Sequence, residues 1–468
     1  MTSTGEASID ALLAAIRDES CDAVELTRRA LVFARAHEDA FHVASSTDED
    51  IIAAGLAQRG FVAALTERPC TIDLTPEVRA ALAGALERAI AGAPAEGRSG
   101  LEALVAHKLA LALEEAFGAR FFDHLAAGGA RVLGPDDMLA FASAFRDAKG
   151  AFRRAYGADL APDPARLAQR PDSLRAYGRL APQVPHAARL RWVPTWTVLD
   201  DLTPASTVVA VLPGTFDELE VPVEEHPEGR RFFGVRPRDP ARRLAIAEEL
   251  VARADAADAH VVLLPEVSLH EAGVEALARW VETEARSIRV AVCGSAHRAP
   301  EGVRENVALI AATREGTDYA RAEQPKLVPF VMRIGQEAIV EDIQHAGRVL
   351  TFLSGRRFSL LVVICMDLID QDLSRLAHDL RPSLVLVPAC TATTGPFESV
   401  ARDLAARSQA HVVIANQRAD GRGEPDAALV ARPRREGRNA VCASPADGAD
   451  VPGVRRTTLA EGGWRTDL

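Results

Sequence analysis

The sequence predicts an α/β fold with a sheet covered on both faces, preceded by an α-helical N-terminal domain. Two observations carry this. From about residue 206 short, β-branched, unbroken apolar runs alternate with segments of helical spacing, as strands buried on both faces do. Up to about residue 162 the apolar residues recur at helical spacing instead. A length of 468 residues also exceeds one ordinary domain and leaves room for two or three packed cores. The expected division is 1–162 helical, 163–205 a proline-rich connector, and 206–468 the α/β domain.

In the first part, Ile9, Leu12, Leu13 and Ile16 share one helix face, and Val24, Leu26, Leu31 and Phe33 continue the pattern. Thr75-Pro76-Glu77 opens a further helix, with Thr75 as N-cap and proline in the first turn. Leu101, Leu104, Val105, Leu109, Leu113 and Phe117 mark another stripe, and Pro135-Asp-Asp is expected to begin one more running towards Tyr156. No fixed-period repeat and no motif with chemistry is found there. The connector is rich in proline and poor in periodicity; Trp192 and Trp196 are expected to pack near the domain junction.

In the second part the expected strands are Thr207–Leu212, Phe232–Val235, His260–Leu264, Ile288–Gly294, Asn306–Ala312, Phe358–Ile364, Ser383–Pro388 and His411–Ala415. A helix with Leu244, Ile246, Leu250 and Val251 on one face lies over Pro240–Ala254.

Bulk properties exclude several classes. A formal charge of −12 speaks against a general nucleic-acid binder, which needs a basic face. Arg432, Arg434, Arg435 and Arg438 form a local basic cluster, read as a solvated loop. The first residues lack the basic and apolar regions of a secretory signal, and no run is long enough to span a membrane. The six cysteines (21, 70, 293, 365, 390 and 442) are scattered with no C-x-x-C pair, so neither a disulfide framework nor a zinc site is expected. A cytoplasmic protein with reduced thiols and no metal follows as the expectation.

Three places put a reactive group where a strand ends. Leu264-Pro-Glu266 presents a carboxylate, Gln324-Pro-Lys326 an amine, and Leu361-Val-Val-Ile-Cys365-Met-Asp367 a thiol. Strand ends in α/β sheets gather such groups because loops converge there on a rigid frame. Taken singly, the cysteine is a small buried hydrophobe, the glutamate a cap and the lysine a solvated loop residue. Their joint occurrence in this order points to nucleophilic catalysis.

With these motifs on the page, the chain resembles the nitrilase (carbon–nitrogen hydrolase) superfamily over residues 206–468. Val261-Val-Leu-Leu-Pro-Glu266 matches its glutamate motif, Gln324-Pro-Lys326 its lysine motif, and Val363-Ile-Cys365-Met-Asp367 its cysteine motif. Cys293-Gly-Ser295, Asn306–Ile310, Leu384–Ala389 and His411–Asn416 resemble further strands of such domains. The spacings (326 − 266 = 60 and 365 − 326 = 39) are similar too.

The resemblance implies a four-layer αββα sandwich, a Glu266–Lys326–Cys365 triad, no cofactor, and a homo-oligomer. In it Cys365 attacks an amide or nitrile carbon, Glu266 moves the proton, and Lys326 with the backbone N–H of Met366 faces the oxyanion. A second glutamate after the lysine is also implied; Glu337 and Glu341 both qualify, and Glu341, six residues before Gly347, is preferred. Departures are Arg407-Ser408 where an acidic residue is usual, Met366 where an aromatic is usual, and no tryptophan between Pro388 and Leu404.

The function expected is hydrolysis of a linear amide or carbamoyl amine, with a nitrile ranked behind them. Alternatives are an ammonia-supplying or metabolite-sensing module, with the helical region docking a protein partner, and a non-catalytic descendant that keeps the pocket. Partners expected are a small-molecule substrate and a second copy of the chain, with no nucleic acid and no membrane.

Overall fold

A computed structural model of the chain describes residues 8–65, 72–91, 97–140, 171, 174, 179–182, 184–185, 188–194, 197–202, 207–211, 214–215, 219–225, 231–299, 304–313, 321–343, 348–356, 358–391, 393–418, 428–433, 455–459 and 465–466. Trp196, Tyr156, Gly347 and Arg434, Arg435 and Arg438 lie outside the described residues. The chain is a mixed α/β protein that separates into two compact units. Among the described residues, one unit contains 8–129, 133–140, 171, 174 and 179–181; the other contains 130–132 and the residues from 182 onward.

The first unit is built on the helices Ile9–Arg17, Ala23–Ala36, Glu38–Ala44, Asp48–Ala64, Pro76–Ala91 and Arg98–Ala126. Ser8 and Asp22 cap the first two by accepting from Ala11 and Glu25 N–H groups, which satisfies amides no helical carbonyl can reach. The apolar stripes meet in one core around Leu26, Leu31, Phe33, Phe61, Leu109 and Phe117. The helix expected from Pro135 does not begin there. The Asp137 carboxylate accepts from Gly134 N–H at 2.7 Å and closes a turn, and Met138–Leu139 then pairs as a strand with Arg179–Leu180. A short polar side chain that bonds its own backbone favours a turn over a helix.

The second unit is an α/β sandwich. One sheet runs Arg321–Pro325, Glu305–Ala312, Val290–Arg298, Val261–Leu263, Val208–Val211, Arg455–Thr458 and Arg465–Thr466. The other includes, in order, Arg189–Val193, Val349–Ser354, Ser359–Val362, Leu384–Cys390, His411–Arg418 and Ala428–Ala431. The strands Val261–Leu263 and Val290–Arg298 contact Leu384–Cys390, so the sheets face each other. Helices Pro240–Ala256 and Glu271–Thr283 cover the first sheet through Leu250, Val251, Leu277 and Val281. Gly395–Arg407 packs on His411–Arg418 and Ala428–Ala431 of the second. Burial on both faces explains why these strands are unbroken apolar runs rather than alternating ones.

The stretch 163–205 contains one strand of this sandwich. Arg189–Val193 pairs in parallel with Val349–Leu353, and fully buried Trp192 donates its indole N–H to Ser354 Oγ at 2.8 Å. Gln324 joins the two sheets. Its Oε1 accepts from Thr351 N–H at 2.8 Å, while Thr351 Oγ1 donates to the Glu323 carbonyl at 2.8 Å. A smaller sheet of Val331–Ile334, Glu337–Glu341, Arg231–Phe233 and Val223–Glu225 completes the unit near the Lys326 end. Among the described residues no helix is long and apolar enough to cross a membrane.

Candidate active site

Glu266 and Cys365 each sit at a turn that the local sequence alone would not hold. Directly after Glu266, Val267 adopts φ 47°, a left-handed conformation that β-branched residues avoid at a cost of about 1–3 kcal/mol. The neighbouring strand supplies the compensation. Its register slips between Val292 and Ser295, and Ser295 Oγ accepts from Val267 N–H at 3.2 Å. Gly294 in that slip has φ +80°, and a Cβ there would lie 2.2 Å from Ser268 Oγ and 2.8 Å from the Pro265 carbonyl. Only glycine allows the strand to approach the Glu266 turn this closely.

Cys365 is the second strained residue, at φ 48° and ψ −108°, between the strand Ser359–Val362 and the short helix Met366–Ile369. Its N–H donates to the Pro388 carbonyl at 2.9 Å, which continues the pairing with the next strand. Asp367 then locks the turn. Its Oδ2 accepts from Ile364 N–H at 3.2 Å, and its Oδ1 accepts from Leu327 and Val328 N–H at 3.0 and 2.8 Å. One carboxylate thus ties the cysteine turn to the lysine loop. Burial pushes this carboxyl up to about 7, against the opposing pull of Lys326 and the three amides.

Lys326 follows the strand Arg321–Pro325, with its N–H given to the Asn306 carbonyl at 2.8 Å. Its Nζ lies 2.7 Å from Glu266 Oε1 and 2.6 Å from Glu341 Oε2. Asn306 is wholly buried and donates Nδ2 to both carboxylates, at 2.9 Å to Glu266 and 3.0 Å to Glu341. That orientation of the amide follows from chemistry, since carboxylate oxygens need donors. Phe330 N–H donates to Glu341 Oε2 at 2.9 Å, and His297 Nε2 stands 3.2 Å from Glu341 Oε1.

The charges decide the protonation states. Burial works against the Lys326 ammonium, but Glu266 and Glu341 more than offset it and hold its pKa well above the ordinary value. Burial works equally against the Glu341 carboxylate, and Lys326 and His297 reverse that to keep it ionised. For Cys365, burial and then the Glu266 carboxylate, which also accepts the thiol hydrogen bond, raise the pKa well above the ordinary value. The resting group is therefore a neutral thiol beside a carboxylate and an ammonium. The arrangement supplies a nucleophile, an adjacent proton acceptor and a fixed cation.

Glu266, Lys326, Cys365 and Glu341 thus come together, each no more than about one-twentieth exposed. Met366, at the first position of the short helix, follows the cysteine directly. Glu337 is elsewhere: it is exposed on the hairpin and pairs with Arg231 at 2.5 Å. Arg407 is exposed on the outer helix and pairs with Asp403 at 2.7 Å. Asn416 holds the turn after Leu384–Cys390, taking Thr391 N–H at 2.9 Å and donating to its carbonyl at 3.0 Å.

Several contributors escaped sequence reasoning. Asn306 and Asp367 stood inside quoted motifs without a role, and their use as double donor and double clamp depends on partners distant in the chain. Cys390, whose carbonyl lies 4.0 Å from Cys365 Sγ, and His297 carried no signal at all. His297 also borders a cavity of about 390 Å³, lined further by Phe232, Gly234, Arg298, Arg304 and Asp342.

No protein-family model matches the chain, and no curated protein matches it. Among solved structures it is similar to an amidase from Nesterenkonia sp., at 18% identity and a TM-score of 0.38, over 56% of this chain and 94% of that one. Nit3 of Saccharomyces cerevisiae, described as a member of branch 10 of the nitrilase superfamily, aligns at 17% identity and a TM-score of 0.38, over 54% of this chain and 89% of its own. The C. elegans NitFhit protein aligns at 19% identity and a TM-score of 0.37, over 54% of this chain and 61% of its own. Across that partial span the chain is similar to amidases of the nitrilase superfamily.

Proposed function

We propose that the second unit is a carbon–nitrogen hydrolase acting on a linear amide or a carbamoyl amine, with a nitrile ranked behind them. The observation that carries this reading is the buried cluster in which Lys326 is held by Glu266 and Glu341 beside the Cys365 thiol. When the substrate carbonyl enters, Glu266 takes the thiol proton as Sγ bonds to the carbon and the C=O electron pair moves to oxygen. Lys326, an ammonium throughout, and the Met366 N–H stabilise that oxyanion. Collapse expels ammonia or amine, which receives the proton from Glu266, and leaves a thioester on Cys365. Water, deprotonated by Glu266, then attacks the thioester; collapse releases the acid, and the sulfur recovers its proton. Glu341 and Asn306 position Lys326 and Glu266 rather than react.

The same reading includes no cofactor, a helical N-terminal domain outside the chemistry, and a homo-oligomer. Its test is ammonia release across amide, carbamoyl and nitrile substrates by the wild-type protein and Cys365→Ala. Loss of turnover in the variant is expected; unchanged turnover refutes the assignment.

A further inference from the structure

We infer that the outer face of the helix Asp48–Ala64 is a contact through which two copies of this chain pair by their helical units. The inference goes beyond the proposed hydrolysis and does not depend on it. Its starting point is exposure. Nine large apolar side chains are exposed among the described residues, and four of them (Val43, Ile51, Ile52 and Leu56) lie between positions 43 and 56. Scattered apolar exposure is ordinary, whereas a cluster marks an interaction surface. The helix turns Ala54, Ala57 and Phe61 into the core of its unit. At 3.6 residues per turn the opposite stripe is Asp48, Glu49, Ile52, Leu56 and Arg59, with Ile52 63% and Leu56 60% exposed.

The order of residues along that stripe identifies the partner as a second copy. It runs acid, apolar, base, which is complementary to its own reverse. Ile52 and Leu56 lie two residues either side of Ala54, and Glu49 and Arg59 lie five residues either side. A two-fold axis level with Ala54 therefore sets Ile52 against the partner's Leu56 and Glu49 against the partner's Arg59, each contact being made twice. Within one copy Glu49 and Arg59 are about 15 Å apart along the helix, too far to pair. Neither side chain has an ion-pair partner among the described residues, so both charges are available to a second copy. Gly55 lies beside the crossing point; a Cβ there would meet nothing within 4 Å, and glycine lets two helices approach closely. Leu56 also edges a groove of about 290 Å³ lined by Ala57, Gly60, Ala85 and Ala89, which offers the partner's Ile52 a seat.

The experiment is sedimentation equilibrium of the full chain over about 1–100 μM, the range suited to a contact of one helix per copy. It compares wild type with Leu56→Glu, Glu49→Arg, Arg59→Glu and the double variant Glu49→Arg/Arg59→Glu. The wild type is expected to show a reversible doubling of mass. Each single substitution raises the dissociation constant of that step about tenfold or more, because it acts at both symmetric contacts. The double variant, and an equimolar mixture of the two charge-reversed single variants, return to within about threefold of wild type. No contact within one copy produces that rescue, since the two positions are several turns apart on one helix. All three positions are exposed, so far-UV circular dichroism is expected to show unchanged helix content. A doubling that survives Leu56→Glu undiminished overturns the inference, and so does a double variant or mixture no stronger than the single variants. A wild type with no doubling that these substitutions remove overturns it as well.

Discussion

Both units bury cations, and Arg79 in one and Lys326 in the other are satisfied in opposite ways. In the helical unit Arg79 is 5% exposed and uses all five of its N–H donors on backbone carbonyls: those of Leu74, Ile16, Asp18, Glu19 and Cys21. No donor remains, and the neutral acceptors lie on the segments that the guanidinium joins. In the sandwich Lys326 is equally buried, but its partners are two carboxylates, with a thiol alongside. A closed set of neutral acceptors is a structural joint. A fixed ammonium between two carboxylates, beside an ionisable sulfur, leaves charge available for a reaction.

The largest effect that would break this comparison comes from Lys326→Met. On the role proposed for Lys326 as an oxyanion donor, turnover is expected to fall by about 10²–10³-fold or more. Two buried carboxylates would also lose their counter-charge, with about 3–5 kcal/mol of destabilisation in a denaturant titration. Retained activity would make Lys326 another structural joint. Arg79→Met should do the reverse: several kcal/mol lost from the first unit as five carbonyls lose their donors, with kcat per folded molecule unchanged. A fall in kcat without a fall in melting temperature would reverse the contrast.

Gly294→Ala sharpens the picture of the Glu266 turn. The added Cβ cannot coexist with Ser268 Oγ and the Pro265 carbonyl, so the turn must shift. A loss of about 1–3 kcal/mol and a larger proportional loss of kcat than of KM are expected. The protonation state of Cys365 is tested by iodoacetamide labelling of the free protein. Because burial and Glu266 hold the thiol above its ordinary pKa, the rate should rise about tenfold per pH unit from about pH 7 to 9 without a plateau. A plateau below about pH 8 would show a thiolate already formed at rest.

A pH-dependent effect is expected at Asp367. Its folded pKa, about 7, lies above the unfolded value of about 3.9. Over that interval the native state holds a proton that the unfolded chain has released. The carboxyl's contribution is therefore fully present below about pH 4 and is lost as pH rises through about 7. The stability difference between wild type and Asp367→Asn should shrink across this window in urea titrations. A difference independent of pH would show Asp367 ionised throughout.

The sequence alone reached much of this chain. Continuous apolar runs are forced on strands covered on both faces, which is why Val261–Leu263, Ser359–Val362 and Leu384–Cys390 were legible. The strands Arg321–Pro325 and Glu337–Glu341 were not, because an edge strand and an exposed hairpin carry charged residues that read as loop. The sequence also determined the order and types of the reactive residues, since chemistry demands a particular side chain and leaves little freedom in its identity.

Only the tertiary structure decided which groups meet. Glu337 and Glu341 belong to one short strand, yet one pairs with Arg231 at the surface and the other lies 2.6 Å from Lys326. His297 and Glu341 lie on strands of different sheets, and only the packing of those sheets makes them neighbours. Local sequence fixes backbone tendencies over a few residues, whereas a buried charge cluster is set by which distant strands stack, and that depends on the packing of the whole sandwich.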